Sequence, residues 1–199
     1  MTLLDIQTPH GPARAHVTRV RRAVGALVLG HGAGGGVAAR DLTAVAEEAA
    51  SQQFSFALVE QPYRIAGRRS PAPAPQLDAA WIAVVAHLRA KALKGLPVVC
   101  GGRSSGARVA CRTVAETGAV AVLCLAFPLH PPGRPAVTRQ DELDAVTVPV
   151  LVVQGTSDPF GMPGPGPSRT VVQVAGNHNL RSDLGAVRTA VRDWLTAVL

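Results

Sequence analysis

Short, mostly apolar runs alternate along this chain with longer segments whose apolar residues recur at helical spacing, and that alternation narrows the fold class more than any other feature. Gly25–Leu29, Phe54–Val59, Val98–Cys100, Val120–Leu125, Val148–Gln154 and Thr170–Val174 read as strands. Between and after them, Arg40–Gln52, Gln76–Leu93, Ser105–Thr117 and Asp183–Leu199 read as helices. Leu77, Trp81, Ile82, Val85 and Leu88 share one face of the second helix. Leu184, Val187, Val191, Trp194, Leu195 and Val198 share one face of the last, so both tryptophans read as core. Strands that are apolar throughout are buried on both faces. The expectation is an α/β protein with a mostly parallel central sheet and helices on both sides. The first twenty residues predict an antiparallel hairpin, Leu3–Gln7 and Ala13–Val20 about a turn at His10-Gly11-Pro12. Gln61–Pro75 is basic and proline-rich and reads as irregular. At 199 residues one domain spanning 1–199 is expected.

Composition removes several function classes. Hydrophobic residues make up 47% and charged residues 17%, which excludes a disordered chain. No apolar run approaches the ~18 residues of a membrane span. Met1–Arg22 has no apolar core of a secretory leader, so a cytoplasmic location and no membrane partner are expected. Cys100, Cys111 and Cys124 share no metal-ligand spacing and read as buried thiols in a reducing compartment. Six histidines add no metal pattern, and His10, His16 and His87 have no evident partner. The net charge of +7 is carried by scattered arginines, and aromatics are only 4%, so nucleic acid is not the expected partner.

In a sheet of this type, sites form in the loops beyond the C-terminal strand ends. After Val98–Cys100 the chain reads Gly101-Gly102-Arg103-Ser104-Ser105-Gly106, which contains G-x-S-x-G. A nucleophile held on a sharp strand-to-helix turn has strained backbone angles, and side chains two positions to either side would collide. That requirement selects Ser104 over Ser105, whose corresponding neighbours are Arg103 and Ala107. A serine nucleophile needs a base, and the base needs an orienting acid. Asp158 follows the fifth of these strands and His178 the sixth, in the chain order serine, acid, histidine. Charge developing on a carbonyl oxygen calls for two backbone N–H groups. One is the amide of Ser105, at a helix N-terminus; the other is assigned to Ala33 in Gly30-His31-Gly32-Ala33-Gly34-Gly35-Gly36. Around these, His31, Tyr63, Arg103 and His130 are candidate substrate contacts, with His31 better suited to holding its own loop and Arg103 to packing around the elbow. The chemistry needs no metal or organic cofactor, and the expected partner is a small-molecule ester.

A rival reading attaches to the glycine loop. Gly30-x-Gly32-x-x-Gly35 matches a dinucleotide-binding fingerprint, with Glu60 as the ribose-binding acid. Glu60 comes somewhat late after the glycines, His31 is unusual in such a loop, and Ser104, Asp158 and His178 are left without a role.

Several blocks together carry a resemblance. His31-Gly32-Ala33-Gly34, Pro62-Tyr63 with Gly67-Arg68-Arg69 and Pro71, Gly101-Gly102-Arg103-Ser104, Pro128-Leu129-His130-Pro131-Pro132-Gly133, and Gln154-Gly155 with Asp158-Pro159-Phe160-Gly161 span most of the chain. They resemble an α/β-hydrolase-like family that includes a subunit of the NSL histone acetyltransferase complex, a testis-expressed protein and bacterial dienelactone-hydrolase-like proteins. The resemblance implies an α/β-hydrolase fold with Ser104, Asp158 and His178 at the triad positions. It also admits a non-catalytic binding module, since some members serve as assembly subunits. Ser105 departs from the larger residue usual after the nucleophile, and Glu60 from the usual Asn or Asp. The connection Pro128–Thr147 is too short for a large lid, so an open, shallow site for small esters or thioesters is expected.

Overall fold

A computed structural model describes residues 1–199. Eight strands form one sheet: β1 Thr2–Thr8, β2 Gly11–Thr18, β3 Gly25–Gly30, β4 Phe54–Glu60, β5 Val98–Arg103, β6 Ala121–Leu125, β7 Val150–Gly155 and β8 Arg169–Val174. Their order is β1-β2-β4-β3-β5-β6-β7-β8. β1 and β2 pair antiparallel, β2 joins β4 antiparallel, and every later pairing is parallel. This is the expected architecture with its N-terminal hairpin. The hairpin turn lies at Pro9-His10, one residue earlier than expected, because Gly11 already belongs to β2.

Seven helices cover the sheet: α1 Arg40–Ser51, α2 Pro62–Ile65, α3 Ala74–Ala90, α4 Ser105–Arg112, α5 Val114–Thr117, α6 Gln140–Asp144 and α7 Leu184–Val198. One apolar layer joins α3 and α4 to the hairpin side of the sheet through Ile6, Trp81, Val85 and Leu88. The other joins α1 and α7 to the opposite face through Leu42, Val45, Val187, Val191 and Leu195. Trp81 is fully buried, whereas Trp194 packs on its layer from a partly buried position.

Four local departures from the expected elements have physical causes. The helix expected over Ser105–Thr117 breaks at Thr113 (φ −110°, ψ 11°), whose hydroxyl donates to the Val109 carbonyl at 2.8 Å beside the regular bond from its N–H at 3.1 Å, an arrangement that bends helices. The chain leaves α3 at Lys91 so that Leu93, its amide bonded to the Leu88 carbonyl at 2.8 Å, turns back into the core. The expected irregular stretch contains α2, started by Pro62 at its first position. Val98–Cys100 extends as β5 to Arg103, which carries the strand to the residue before Ser104.

β3 leads through α1 to β4 on one side, and the chain then crosses back to place β5 on the other side of β3. The loops after β3 and β5 therefore leave the sheet side by side at a point where strand order reverses, the position at which sheets of this kind bind ligands.

Candidate active site

Ser104 sits between β5 and α4 with φ 54° and ψ −109°. A serine in that conformation stores on the order of 1–3 kcal/mol of strain. Two backbone bonds hold it there: Ser104 N–H donates to the Leu125 carbonyl at 2.9 Å, and its carbonyl accepts from Arg108 N–H at 3.2 Å. The glycines on either side answer to the neighbouring strand. A Cβ on Gly102 would lie 2.5 Å from the Gly30 carbonyl oxygen, and one on Gly106 would lie 2.4 Å from that same atom. The G-x-S-x-G spacing thus lets β3 and the elbow touch backbone to backbone.

His178 and Asp158 arrive from the loops after β8 and β7. Ser104 Oγ lies 2.9 Å from His178 Nε2, and His178 Nδ1 lies 2.8 Å from Asp158 Oδ2. With a carboxylate opposite Nδ1, that nitrogen carries the ring proton, and Nε2 is left to accept from the serine hydroxyl. Phe160 packs edge-on against the imidazole, with ring centroids 4.5 Å apart. The Asp158 side chain is almost wholly buried, and protein donors meet both of its oxygens. Gln154 Nε2 donates to Oδ2 at 2.8 Å and Phe160 N–H donates to Oδ1 at 2.9 Å. The two Gln154 Nε2 hydrogens are shared among Asp158 and the carbonyls of Phe127 and Gly161, so one buried amide ties the acid to two loops.

The loop after β3 is fixed with similar economy. The Gly32 carbonyl accepts from His31 Nδ1–H at 2.8 Å and from Gly35 N–H at 3.1 Å. In a trans peptide, anchoring the carbonyl turns the following N–H, that of Ala33, the opposite way. Gly32 lies beside the nucleophile, since a Cβ there would be 3.5 Å from Ser104 Cβ. Neither Ala33 N–H nor Ser105 N–H donates to a backbone acceptor. Tyr63 Oη donates to the Ala33 carbonyl at 2.8 Å, which holds the next peptide as well.

Three of the four candidate substrate contacts are engaged by the protein itself, His31 in the loop-holding role it was better suited to. His31 is 3% exposed, and its Nε2 accepts from Gln61 N–H at 3.2 Å, so both ring nitrogens are bonded to backbone groups, one in its own loop and one after β4. Burial lowers its pKa and keeps the ring neutral, as the accepting Nε2 requires. Tyr63 is buried against His31 and spends its hydroxyl on Ala33, and burial pushes its pKa up to about 12. Arg103 has a side chain 13% exposed and a guanidinium held by Asp41, Asn179 and the His178 carbonyl. Loop carbonyls that no strand or helix reaches recruit neighbouring side chains to satisfy them. His130 is half-buried; its Nδ1–H donates to the Val137 carbonyl at 2.9 Å and its ring lies against Gly161 beside the acid. Ser105 lines a small cavity together with His31, Tyr63, Trp81 and Val109.

Sequence reading missed Asp41, Gln154, Phe160 and Asn179. Two of them left a signal: Gln154 is a polar residue at the end of an apolar strand, and Asp41 is an acid on the apolar face of α1. The dinucleotide reading is overturned on two grounds. Glu60 pairs with His16 at 2.8 Å, and the helix after the glycine loop starts only at Arg40, too far on for its N-terminus to meet a phosphate in that loop. The Pro128–Thr147 connection lies against α4, where Arg108 holds Glu142 at 2.9 Å.

Solved structures share this arrangement of the backbone. The chain superposes on Est1E from Butyrivibrio proteoclasticus with a TM-score of 0.81 at 16% identity, covering 100% of this chain and 99% of that one. XC6422 from Xanthomonas campestris, described as an α/β serine hydrolase without a lid, gives 0.76 at 21% identity over 97% and 94%. A dienelactone hydrolase from Anabaena variabilis gives 0.78 at 17% identity over 98% and 96%. These likenesses establish the fold. Residues 23–180 match the family model described as an alpha/beta hydrolase domain, and the chain belongs to the α/β-hydrolase family.

Proposed function

We propose that this protein is a serine hydrolase that cleaves small carboxylic esters or thioesters through an acyl-enzyme on Ser104. One observation carries the reading: a continuous hydrogen-bonded line from Asp158 through His178 to Ser104 Oγ, with steps of 2.8 and 2.9 Å, on a strained turn that only glycine neighbours permit. A non-catalytic module has no use for either the line or the strain.

In this mechanism Ser104 Oγ attacks the acyl carbonyl carbon while His178 Nε2 takes its proton. The carbonyl electrons move onto oxygen, which the amides of Ala33 and Ser105 receive. The carbonyl re-forms, the alcohol or thiol leaves, and Nε2 returns the proton to it. Water then attacks the acyl-serine with His178 as base, releasing the acid and restoring the hydroxyl. Asp158 holds the Nδ1–H tautomer and stabilises the imidazolium. Loss of one oxyanion amide costs roughly 3–4 kcal/mol of barrier.

The short, tied-down connection between β6 and β7 supports small substrates over long acyl chains. A cytoplasmic location is part of the proposal and is supported by three buried free thiols. No helix is long and apolar enough to cross a membrane. A fluorophosphonate probe tests the reading together with p-nitrophenyl esters of graded chain length. Labelling of wild type at Ser104, turnover that falls as the acyl chain lengthens, and loss of both in Ser104→Ala are expected. An unlabelled, inactive wild type overturns the proposal.

A further inference from the structure

We propose that Arg103 is a positioning residue that sets the distance between base and nucleophile, anchored on Asp41 and gripping the histidine loop through Asn179. The inference rests on the serine-hydrolase reading above and extends it to a group that touches no reacting atom.

Arg103 immediately precedes Ser104, so its backbone moves with the nucleophile. Its guanidinium reaches three other parts of the site. Nε lies 2.8 Å from Asp41 Oδ2 at the start of α1. Nη2 donates to the His178 carbonyl at 3.1 Å and to Asn179 Oδ1 at 2.8 Å. Nη1 lies against the oxyanion turn, where a Cβ on Gly32 would be only 2.9 Å away. The planar guanidinium donates two hydrogen bonds from one nitrogen to the histidine loop while its Nε meets Asp41 as an ion pair without hydrogen-bond geometry; an ammonium on a flexible stem does not reproduce that arrangement.

The histidine loop needs such a hold. On the acid side it is tied by Ser157 N–H to the Gly176 carbonyl at 2.9 Å, and beyond His178 it is pinned by the buried Leu180. Between these points Asn177 and Asn179 are exposed. From the nucleophile side, the structural bonds to this stretch are those of Arg103. Asp41, 1% exposed, aims the guanidinium, and its own Oδ1 is fixed by Leu42 N–H at 3.0 Å. Burial raises the Asp41 pKa and the Arg103 charge opposes that rise, so the two groups depend on each other.

The test uses three variants of the full chain. Asn179→Ala removes one arm at an exposed position. Arg103→Lys keeps the charge and loses the fork. Arg103→Met with Asp41→Asn removes the clamp without leaving a buried carboxylate unpaired, and thermal unfolding identifies which variants fold. Each folded variant is read in two ways: kcat and KM for p-nitrophenyl acetate, and the low-field proton resonance of His178 Nδ1–H, which needs no turnover. In the double variant kcat should fall by about 10²-fold, as a displacement near 1 Å produces. KM should stay within about twofold, and the resonance should broaden. Arg103→Lys and Asn179→Ala should fall between it and wild type. Wild-type kcat and an unchanged resonance in Asn179→Ala and in a folded double variant overturn the clamp. That failure leaves wild-type turnover and probe labelling intact, whereas failure of the hydrolase reading removes both from wild type itself.

Discussion

Replacing Gly106 with alanine sets two known effects against each other. Gly106 is the second residue of α4, and alanine in a helix is favoured over glycine by about 1 kcal/mol. On helix propensity alone the variant should be more stable. The added Cβ, however, would lie 2.4 Å from the Gly30 carbonyl oxygen, 2.6 Å from its carbonyl carbon and 3.0 Å from the His31 carbonyl oxygen. These are backbone atoms of β3 and the oxyanion loop, with no rotamer to adjust. Ordinary contact needs roughly 3.4 Å or more, so the elbow and β3 must separate by about 1 Å. Overpacking costs typically 1–3 kcal/mol and occasionally more. A clash with backbone belongs at the upper end, which leaves a net loss of about 2 kcal/mol, or roughly 4–8 °C in Tm for a chain this long. The same displacement separates Ser104 from the Ala33 amide and should lower kcat/KM by about 10²-fold. Gly164→Ala is the control, because nothing lies within 4 Å of a Cβ there. It should unfold within about 0.5 kcal/mol of wild type and keep wild-type activity. Paired thermal melts and p-nitrophenyl acetate kinetics decide the matter. A Gly106→Ala variant as stable and as active as Gly164→Ala refutes the steric account of the elbow.

Two further outcomes follow from the loop contacts. His31 is held neutral when folded because burial lowers its pKa from 6.5, while the unfolded chain takes up a proton there as pH falls. Its contribution to stability is intact above pH 6.5 and declines below it toward the lowered folded value; urea midpoints between pH 8 and 5 should therefore fall more steeply for wild type than for His31→Asn, and equal slopes contradict the assignment. Tyr63→Phe keeps the ring against His31 and removes the bond to the Ala33 carbonyl, so it should lower stability by about 1 kcal/mol in urea titration. An unchanged midpoint means that water replaces the hydroxyl without loss.

The strand and helix pattern was legible because burial imposes a period on sequence, and the glycine spacing around Ser104 was legible because sterics act over two residues. The acid and base were readable through chain order and their places just past strand ends. Thr113 and Leu93 moved helix ends against that pattern, since a side-chain bond and a buried leucine outweigh a few tenths of a kcal/mol of propensity. His31 holds its own loop as its position suggested, but the partners of Tyr63 and Arg103 were not legible, for one reason. Each is a polar residue at or just past a strand end beside the site, and sequence does not say whether its donors face a ligand or the carbonyls of a neighbouring loop.

Periodicity, glycine placement and the order of three reactive residues are local properties, so the chain alone determined the fold class and the candidate triad. Which backbone atom requires those glycines, which amide faces the nucleophile and where the Arg103 guanidinium ends were decided by tertiary structure. Those facts depend on β3 and β5 being neighbours although β4 lies between them in sequence, and such distances come into being only when the sheet closes.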